Sequence, residues 1–210
     1  MNDHACNDPS HSHDIGYDDE GVNLIDYIDR PGVRALNEST PESCKTIFKD
    51  YTTRSTSTPS LRSNSDDPEL ILHIPFTEAV KIKSICIVGG FGGTAPSMVK
   101  CWVNRDDVDF GNAEDLTGSM TLDLVDPDEH VGFGGTLDYP VRASKFNSVS
   151  TLTFFISDNF GADYTEITYM GFKGVSTNTR HGVVECVYEA RGVMKDHKVR
   201  DEGYGGTAGV

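Results

Sequence analysis

Hydrophobic and polar side chains alternate along residues 151–157 with the two-residue period of a β-strand. Leu152, Phe154 and Ile156 occupy one face of this predicted strand, and mostly polar side chains occupy the other. Residues 158–163, DNFGAD, follow directly and are rich in turn-forming residues. The pattern predicts a strand with one buried face that ends in a turn.

A second alternation begins after this turn, in residues 166–170. It places Ile167 and Tyr169 on one face and Met170, with polar neighbours, on the other. The glycines in residues 171–174, GFKG, permit a sharp turn or a close approach of the backbone. The two alternations together predict two core strands of an all-β domain.

Shorter apolar runs elsewhere predict further strands, which Gly, Pro and Asn residues separate. Several short strands with almost no helical periodicity favour a β-sandwich or a barrel. The further predicted strands are residues 70–76, 80–88, 98–103, 122–124, 137–139 and 183–188.

The segments between these strands are short or polar. Residues 24–28 and 33–36 are predicted to be helical turns that dock on the domain, because each is too short to form a stable helix alone. Asp109 is predicted to cap one helical turn over residues 111–115. Residues 49–68 are rich in Ser, Thr, Asp, Asn and Pro, and this composition predicts a long surface loop.

Composition and charge exclude several classes of partner. Hydrophobic residues make up 37% and charged residues 24% of the 210 residues, as expected for one soluble domain with flexible ends. The formal net charge of −15 predicts no binding to nucleic acid or to an anionic membrane surface. The N-terminus lacks the apolar run of a signal peptide, and no stretch has the length of a membrane span.

The five cysteines are scattered and form no C-x-x-C pair. Cys86, Cys101 and Cys186 lie in apolar strand patterns, which predicts buried thiols instead of disulfides. We therefore expect a reducing compartment, the cytoplasm or the nucleus. Because thiol–disulfide exchange needs two neighbouring thiols, we expect no redox activity.

Two motifs suggest chemistry that their surroundings do not support. Residues 90–95, GFGGTA, fit a loose dinucleotide-binding fingerprint, but Pro96 and a strand pattern follow where a helix must begin. A polar segment near the N-terminus contains His4, Cys6, His11 and His13, but it lacks the folded, tightly paired four-ligand cage of a structural zinc site. We expect no catalytic residues, no cofactor and no specific metal site.

A family resemblance coincides with the strongest strand pattern. Residues 145–174, KFNSVSTLTFFISDNFGADYTEITYMGFKG, resemble the closing signature of the PITH domain, the proteasome-interacting thioredoxin-type module. Supporting pieces lie on both sides of this signature. They are residues 36–39, 69–76, 80–85, 180–185, 188–190 and 196–199.

The resemblance implies a jelly-roll β-sandwich of the galactose-binding-like type with few short helical turns. We expect the PITH domain to span residues 20–190, between a disordered, His-containing segment at 1–19 and a basic, then Gly-rich tail at 191–210. The resemblance also implies a non-enzymatic accessory factor whose protein partner is the 26S proteasome, and we expect a monomer. Some relatives carry a thioredoxin domain, which is absent from these 210 residues, so its redox activity is not expected here.

A galactose-binding-like sandwich leaves a lectin- or peptide-type ligand site as the alternative. Sugar sites need an exposed aromatic side chain, and Trp102 and Phe160 are the candidates. Trp102 lies in the middle of a predicted strand, however, so a place in the core is its other interpretation.

A sandwich without catalytic groups must bind its partners through loops and segments outside the core. Phe91 and Phe160 are candidate apolar anchors in glycine-containing loops, and a late cluster of basic residues would steer an otherwise acidic chain to an acidic surface. The other interpretation is a mobile Phe91 loop, an inward-facing Phe160 and a basic cluster that is only solvated. The predicted partner-binding residues are Phe91, Asp158, Asn159, Phe160, Lys195, His197, Lys198 and Arg200.

Overall fold

Antiparallel β-strands form most of the regular structure in the computed structural model, which describes residues 21–129 and 137–177. These residues belong to one unit, Met1–Thr179. The described strands are β1 Val22–Asn23, β2 Arg34–Leu36, β3 Leu61–Arg62, β4 Leu70–Gly89, β5 Pro96–Val103, β6 Met120–Asp123, β7 Asp138–Pro140, β8 Val149–Asn159 and β9 Glu166–Ser176. The described 3₁₀ helices are Ile25–Tyr27, Arg30–Gly32, Ser43–Thr46 and Tyr51–Thr53. None of these helices is long and apolar enough to cross a membrane.

Strand β4 contributes to two sheets. Its first half pairs with β8 from Leu70 to Pro75, and its second half pairs with β9 from Val80 onward. The register breaks between Pro75 and Val80, where the strand passes from one sheet to the other. The sequence predicted two separate strands here, and the structure instead joins them into one strand of 20 residues.

The first sheet has the order β2–β4–β8–β5–β6. In the second sheet, β7 and β9 flank β4, and the short strands β1 and β3 pair with the far edge of β9. The predicted all-β sandwich is confirmed, with the two sheets joined through β4.

The main core lies between the inner faces of the two sheets. Leu152, Phe154 and Ile156 of β8 are fully buried there, as the alternation predicted. Phe154 stacks on Phe172 of β9 with 6.2 Å between ring centroids, and Phe76 meets the same Phe172 ring edge-on at 5.6 Å. These aromatic contacts tie the β8 sheet to the β9 sheet.

A β-bulge in β9 changes which side chains face the core, compared with the predicted alternation. Val88 of β4 is opposite Tyr169, and the next β4 residue is opposite Ile167, so Thr168 is an extra residue without a partner. Ile167 and Met170 consequently both reach the main core, whereas Tyr169 packs on the outer face beside Val88. The prediction that Ile167 and Tyr169 share a face was wrong, because a bulge resets the two-residue period.

The outer face of the first sheet is also covered, contrary to the prediction of a single buried face for β8. Phe155, only 3% exposed, packs there with Trp102 of β5 and with Val108 of the segment after β5. The helical turn predicted in this segment is present, since the Ala113 N–H donates to the Asp109 carbonyl at 2.9 Å. Both faces of the sheet therefore exclude water at this point.

Two predictions for the first third of the chain were wrong in part. Residues 34–36 form strand β2 on the edge of β4 instead of a helical turn. The predicted loop at residues 49–68 contains a 3₁₀ helix and strand β3, which pairs with β9 and buries Leu61 completely. Pairing with distant strands decided both structures, so local composition did not indicate them.

Candidate interaction site

Three loops meet at one end of the sandwich. They are residues 90–95 between β4 and β5, residues 160–165 between β8 and β9, and residues 124–129 after β6. The Phe160 N–H donates to the Ala95 carbonyl at 3.3 Å, and the Glu166 N–H donates to the Thr94 carbonyl at 2.8 Å. We call these three loops, together with Asp158 and Asn159 at the end of β8, the loop end.

Phe91 stands at the tip of the first loop with 63% of its surface exposed. The two residues that follow it, Gly92 and Gly93, have φ angles of +68° and +81°, which an L side chain adopts only with strain. Their N–H groups donate to one carboxylate oxygen of Asp128, at 2.7 and 3.2 Å. The Thr94 hydroxyl donates to the Phe91 carbonyl at 2.9 Å, so the loop is tied down on both sides of its exposed ring.

Asn159 holds the neighbouring turn together. Its amide nitrogen donates to the carbonyls of Ala162 and Tyr164 at 3.0 and 2.9 Å. Its oxygen accepts from the N–H groups of Gly161 and Ala162 at 2.9 and 3.1 Å. Asn159 is 7% exposed, so its side chain shapes the turn from within, and its contact with a partner stays a prediction.

Phe160 and Asp158 flank this buried amide at the surface. Phe160 is half-buried and Asp158 is exposed, so both side chains are accessible at the loop end, as is Phe91. Exposed acidic residues also lie in the loop end. They are Asp128, Glu129, Asp158 and Asp163.

An ion pair borders the loop end on the β9 side. The Arg62 guanidinium of β3 donates to Glu166 at 2.9 Å, and the Ser60 hydroxyl donates to the same carboxylate oxygen at 2.6 Å. Glu166 is the largest cause of a raised pKa for Arg62, so this cation stays charged. A Cβ on Gly90 would clash with the Thr94 hydroxyl and lie 2.6 Å from the other oxygen of Glu166, so a larger residue there would displace these two side chains.

The remaining predicted contact residues, Lys195, His197, Lys198 and Arg200, lie outside the described residues. Asp128 is a residue of the loop end that the sequence did not indicate. Asp128 and Gly92 are 36 positions apart, and no local pattern signals a carboxylate that binds the backbone of such a distant loop.

Trp102 does not form a sugar-binding platform. It is 2% exposed and belongs to the buried cluster on the outer face of the first sheet. The core interpretation of Trp102 is confirmed.

The described cysteines offer no reactive thiolate. Cys44, Cys86 and Cys101 are free and buried, and burial is the largest cause that raises the pKa of each thiol to about 12. A thiolate is the nucleophilic form, so these three thiols are unreactive near neutral pH. Within residues 21–129 and 137–177, no three His, Cys, Asp or Glu side chains come together as metal ligands.

Comparison of the sequence with models of known protein families identifies the family. The family model of the PITH domain matches residues 17–192 of the sequence. The chain belongs to the PITH domain family. PITH domain-containing protein 1 of Dictyostelium discoideum is 36% identical over 197 residues, which cover 93% of each chain. The Homo sapiens protein of that name is 36% identical over 176 residues, which cover 82% of this chain and 79% of the human protein.

Solved structures place this PITH domain among galactose-binding-like sandwiches. The CBM32-1, CBM32-2 and M60 catalytic domains of Clostridium perfringens ZmpB superpose with a TM-score of 0.53 at 10% identity, over 79% of this chain and 16% of that one. The CBM32-1 and CBM32-2 domains of ZmpB in complex with GalNAc give a TM-score of 0.51 at 10% identity, over 75% of this chain and 37% of that one. The chain thus spans well under half of these proteins, and the likeness concerns the fold alone. The fold implied by the resemblance is confirmed.

Proposed function

We propose that this PITH domain is a non-enzymatic protein-interaction module that associates with the 26S proteasome through its loop end. The proteasome partner comes from the family resemblance, and the contact surface comes from the geometry. The observation that carries the proposal is the exposure of Phe91. This large apolar side chain is 63% exposed on a loop that hydrogen bonds to Asp128 hold in place.

Pre-organisation is the physical reason to choose this loop. Aromatic anchors dominate the binding energy of many interfaces, and a loop that is already ordered loses less entropy when it binds. Asp128 fixes Gly92 and Gly93 through their N–H groups, and Asn159 fixes the adjacent turn through four hydrogen bonds. Phe91 and Phe160 are therefore carried on ordered loops.

The charge around Phe91 indicates the kind of surface that it fits. Exposed acidic side chains lie in the same loop end as Phe91, so the complementary surface is an apolar pocket with basic groups at its rim. The basic residues Lys195, His197, Lys198 and Arg200 form a second contact in this proposal, toward an acidic surface. Both contacts weaken as the salt concentration rises, because ions screen exposed charges.

The binding test uses purified 26S proteasome and biolayer interferometry. We expect Phe91→Ala to weaken binding by about 10-fold or more, which is the loss of about 1.4 kcal/mol or more at an anchor residue. Phe160→Ala and a chain that ends at Ala190 are expected to weaken binding as well. Phe110→Ala is the matched control, because Phe110 is 38% exposed on the outer face of the first sheet, where it packs on Phe155.

The result depends on every variant being folded, which circular dichroism checks. If all three variants bind the proteasome as tightly as the parent chain, the contact lies elsewhere on the sandwich. Absence of binding by the parent itself rejects the proteasome as the partner.

The cytoplasm and the nucleus are the proposed locations, since three buried free thiols fit a reducing compartment.

A lectin- or peptide-type ligand-binding module is the second candidate, which the galactose-binding-like fold favours. Among the aromatic candidates, Trp102 is buried and only Phe160 remains accessible. A calorimetric titration with galactose and GalNAc tests this function, and a saturable signal that Phe160→Ala abolishes would support it over the first candidate.

A further inference from the structure

We propose that a recess on the outer face of the first sheet binds a neutral aromatic ring that carries one hydrogen-bond donor, which is the chemistry of a phenol. The recess lies away from the loop end, and the proposal does not depend on the proteasome assignment.

Cross-strand pairing places the walls of the recess on one face. Arg34 of β2 is opposite His73 of β4, and His73 is opposite Thr153 of β8, so these side chains stand in a row. Leu36 and Ile71 form a second, apolar row beside the first. Asp106 and Val108, from the segment after β5, complete a cavity of about 230 Å³ whose full lining is Arg34, Leu36, Ile71, His73, Asp106, Val108 and Thr153.

The volume of the recess suits a single aromatic ring. By size alone, about 230 Å³ accommodates a substituted ring, since an enclosed apolar cavity of about 150 Å³ holds benzene. Ile71 and Val108 are 3% and 6% exposed and provide a dry apolar wall, whereas Leu36 is 42% exposed at the mouth. A ring in the recess would pack on Ile71 and Val108 and would remove apolar surface from water mainly at Leu36.

The ring of His73 supplies an unused hydrogen-bond acceptor at the buried end of the polar wall, while the Asp106 carboxylate lies at the mouth. His73 is 8% exposed, and its Nδ1 lies 3.0 Å from the Thr153 hydroxyl oxygen. That hydroxyl donates its proton to the Arg105 carbonyl at 2.5 Å, so it must accept from the Nδ1–H of neutral His73. The Nε2 of His73 is then an acceptor, and it has no partner among residues 21–129 and 137–177.

The charges at the mouth favour a neutral ligand. Arg34 and Asp106 carry opposite charges there, and the Arg34 guanidinium contacts the Asp106 carbonyl only weakly, at 3.4 Å. Burial, and then the positive charge of Arg34, lower the pKa of His73, while Asp106 opposes them. The imidazole is therefore neutral near pH 7, and its Nε2 requires a donor from the ligand.

A phenol meets both requirements at once. Its ring covers Ile71, Val108 and Leu36, and its O–H donates to Nε2 of His73. A ring without a donor would bury Nε2 unpaired, which disfavours binding because a buried acceptor without a partner loses its bond to water.

The experiment is an NMR titration of the full chain labelled with ¹⁵N-histidine. N-acetyl-tyrosinamide and N-acetyl-phenylalaninamide are the matched probes, since they differ by one hydroxyl group. We expect the tyrosine amide to bind about 10-fold more tightly and to shift the Nε2 resonance of His73. Equal affinities, or the absence of a saturable shift with either probe, would overturn the proposal.

A third probe, p-cresol, identifies the source of the ring. Binding of p-cresol as tight as that of the tyrosine amide supports a free phenolic ligand. Weaker binding of p-cresol supports a tyrosine side chain with its peptide groups.

Two variants test the assigned roles. His73→Phe keeps the ring volume but removes the acceptor, so we expect the two amides to bind it equally. Leu36→Trp changes an exposed side chain at the mouth and is expected to fill the recess and abolish binding of all three probes, which keeps the test available if His73→Phe does not fold. Unchanged discrimination in the first variant or unchanged binding in the second would place the probes outside the recess.

Discussion

Burial determines the chemistry of the titratable residues in the described part of this chain. The thiols of Cys44, Cys86 and Cys101 are buried, where the thiolate form is poorly solvated, and the carboxylates of Glu38 and Asp138 further raise the pKa of Cys44 and of Cys86. His73 is neutral for the same reason, with Arg34 adding to the effect. The same residue types at the surface would titrate near their ordinary pKa values.

We expect the thiols of these three cysteines to be protected in the native state. At about pH 8, Ellman's reagent should react quickly with at most two of the five cysteines, Cys6 and Cys186, because a thiol of pKa about 12 is almost entirely protonated. All five should react in denaturant. Cys101→Ala is the control. It should lower by one the number of thiols that react in denaturant and leave the number that reacts in the native state unchanged. Rapid reaction of a third thiol in the native state would contradict the burial of these side chains.

The lowered pKa of His73 predicts that the protein loses stability in mild acid. Its folded-state pKa is lowered from 6.5, so below about pH 6.5 the unfolded chain binds a proton that the folded chain does not. The free energy of unfolding should therefore fall as the pH decreases from 6.5 to the folded-state pKa and stay reduced below it. Urea unfolding at about pH 7.5 and about pH 5.5 measures this loss. It should be smaller in His73→Gln, which does not titrate, and an equal loss in the two proteins would assign the effect to other groups.

At the scale of elements, irregularities in the long strands decide which side chains enter the core. The unpaired Thr168 turns Ile167 and Met170 toward the same core, and its hydroxyl donates to the Val88 carbonyl at 3.2 Å. A second register shift in β4, between Ile82 and Ser84, likewise brings Ile82 and Ile85 into the main core. Each bulge shifts the two-residue alternation by one position. Apolar residues on both sides of the bulge therefore face the same core.

Truncation of a core side chain in β8 should lower the stability of the domain strongly. Phe154 is fully buried and stacked on Phe172, so Phe154→Ala should lower the free energy of unfolding by about 3–5 kcal/mol. Val175→Ala is the control on β9, since Val175 is 36% exposed and should change stability by less than about 0.5 kcal/mol. Urea denaturation followed by circular dichroism measures both, and a near-neutral Phe154→Ala would mean that this face of β8 is not packed in solution.

At the scale of the whole molecule, β4 joins the two sheets covalently, and the aromatic stack around Phe172 joins them through packing. Leu61 of β3 adds a further link, because it anchors the polar segment before β4 to the β9 sheet. Neither sheet can lose its partner without exposing the common core.

We therefore expect both sheets to unfold in one transition. The chain has a single tryptophan, and Trp102 reports on the first sheet through its fluorescence. Labelling of Cys86 in a variant without the other cysteines reports on the outer face of the second sheet. The two probes should give the same urea midpoint, and separate midpoints would show that each sheet unfolds on its own.

The sequence by itself determined where β5 and β8 lie, that both halves of β4 and the first half of β9 are strands, which face of β8 meets the main core, and that a turn follows β8. It also determined the burial of Cys86 and Cys101. These features follow from local periodicity and turn chemistry, which act between residues close together in the chain. The position of Phe91 in a loop could be predicted in the same way.

Only the tertiary structure decided the features that depend on distant residues. The bulge at Thr168, the passage of β4 between sheets and the burial of Leu61 arise from strand pairing, which no local pattern encodes. The bond from Asp128 to the Phe91 loop spans 36 positions, and that between His73 and Thr153 spans 80. Such contacts form when the core packs, so the order of the loop end and the free acceptor in the recess are properties of the folded chain.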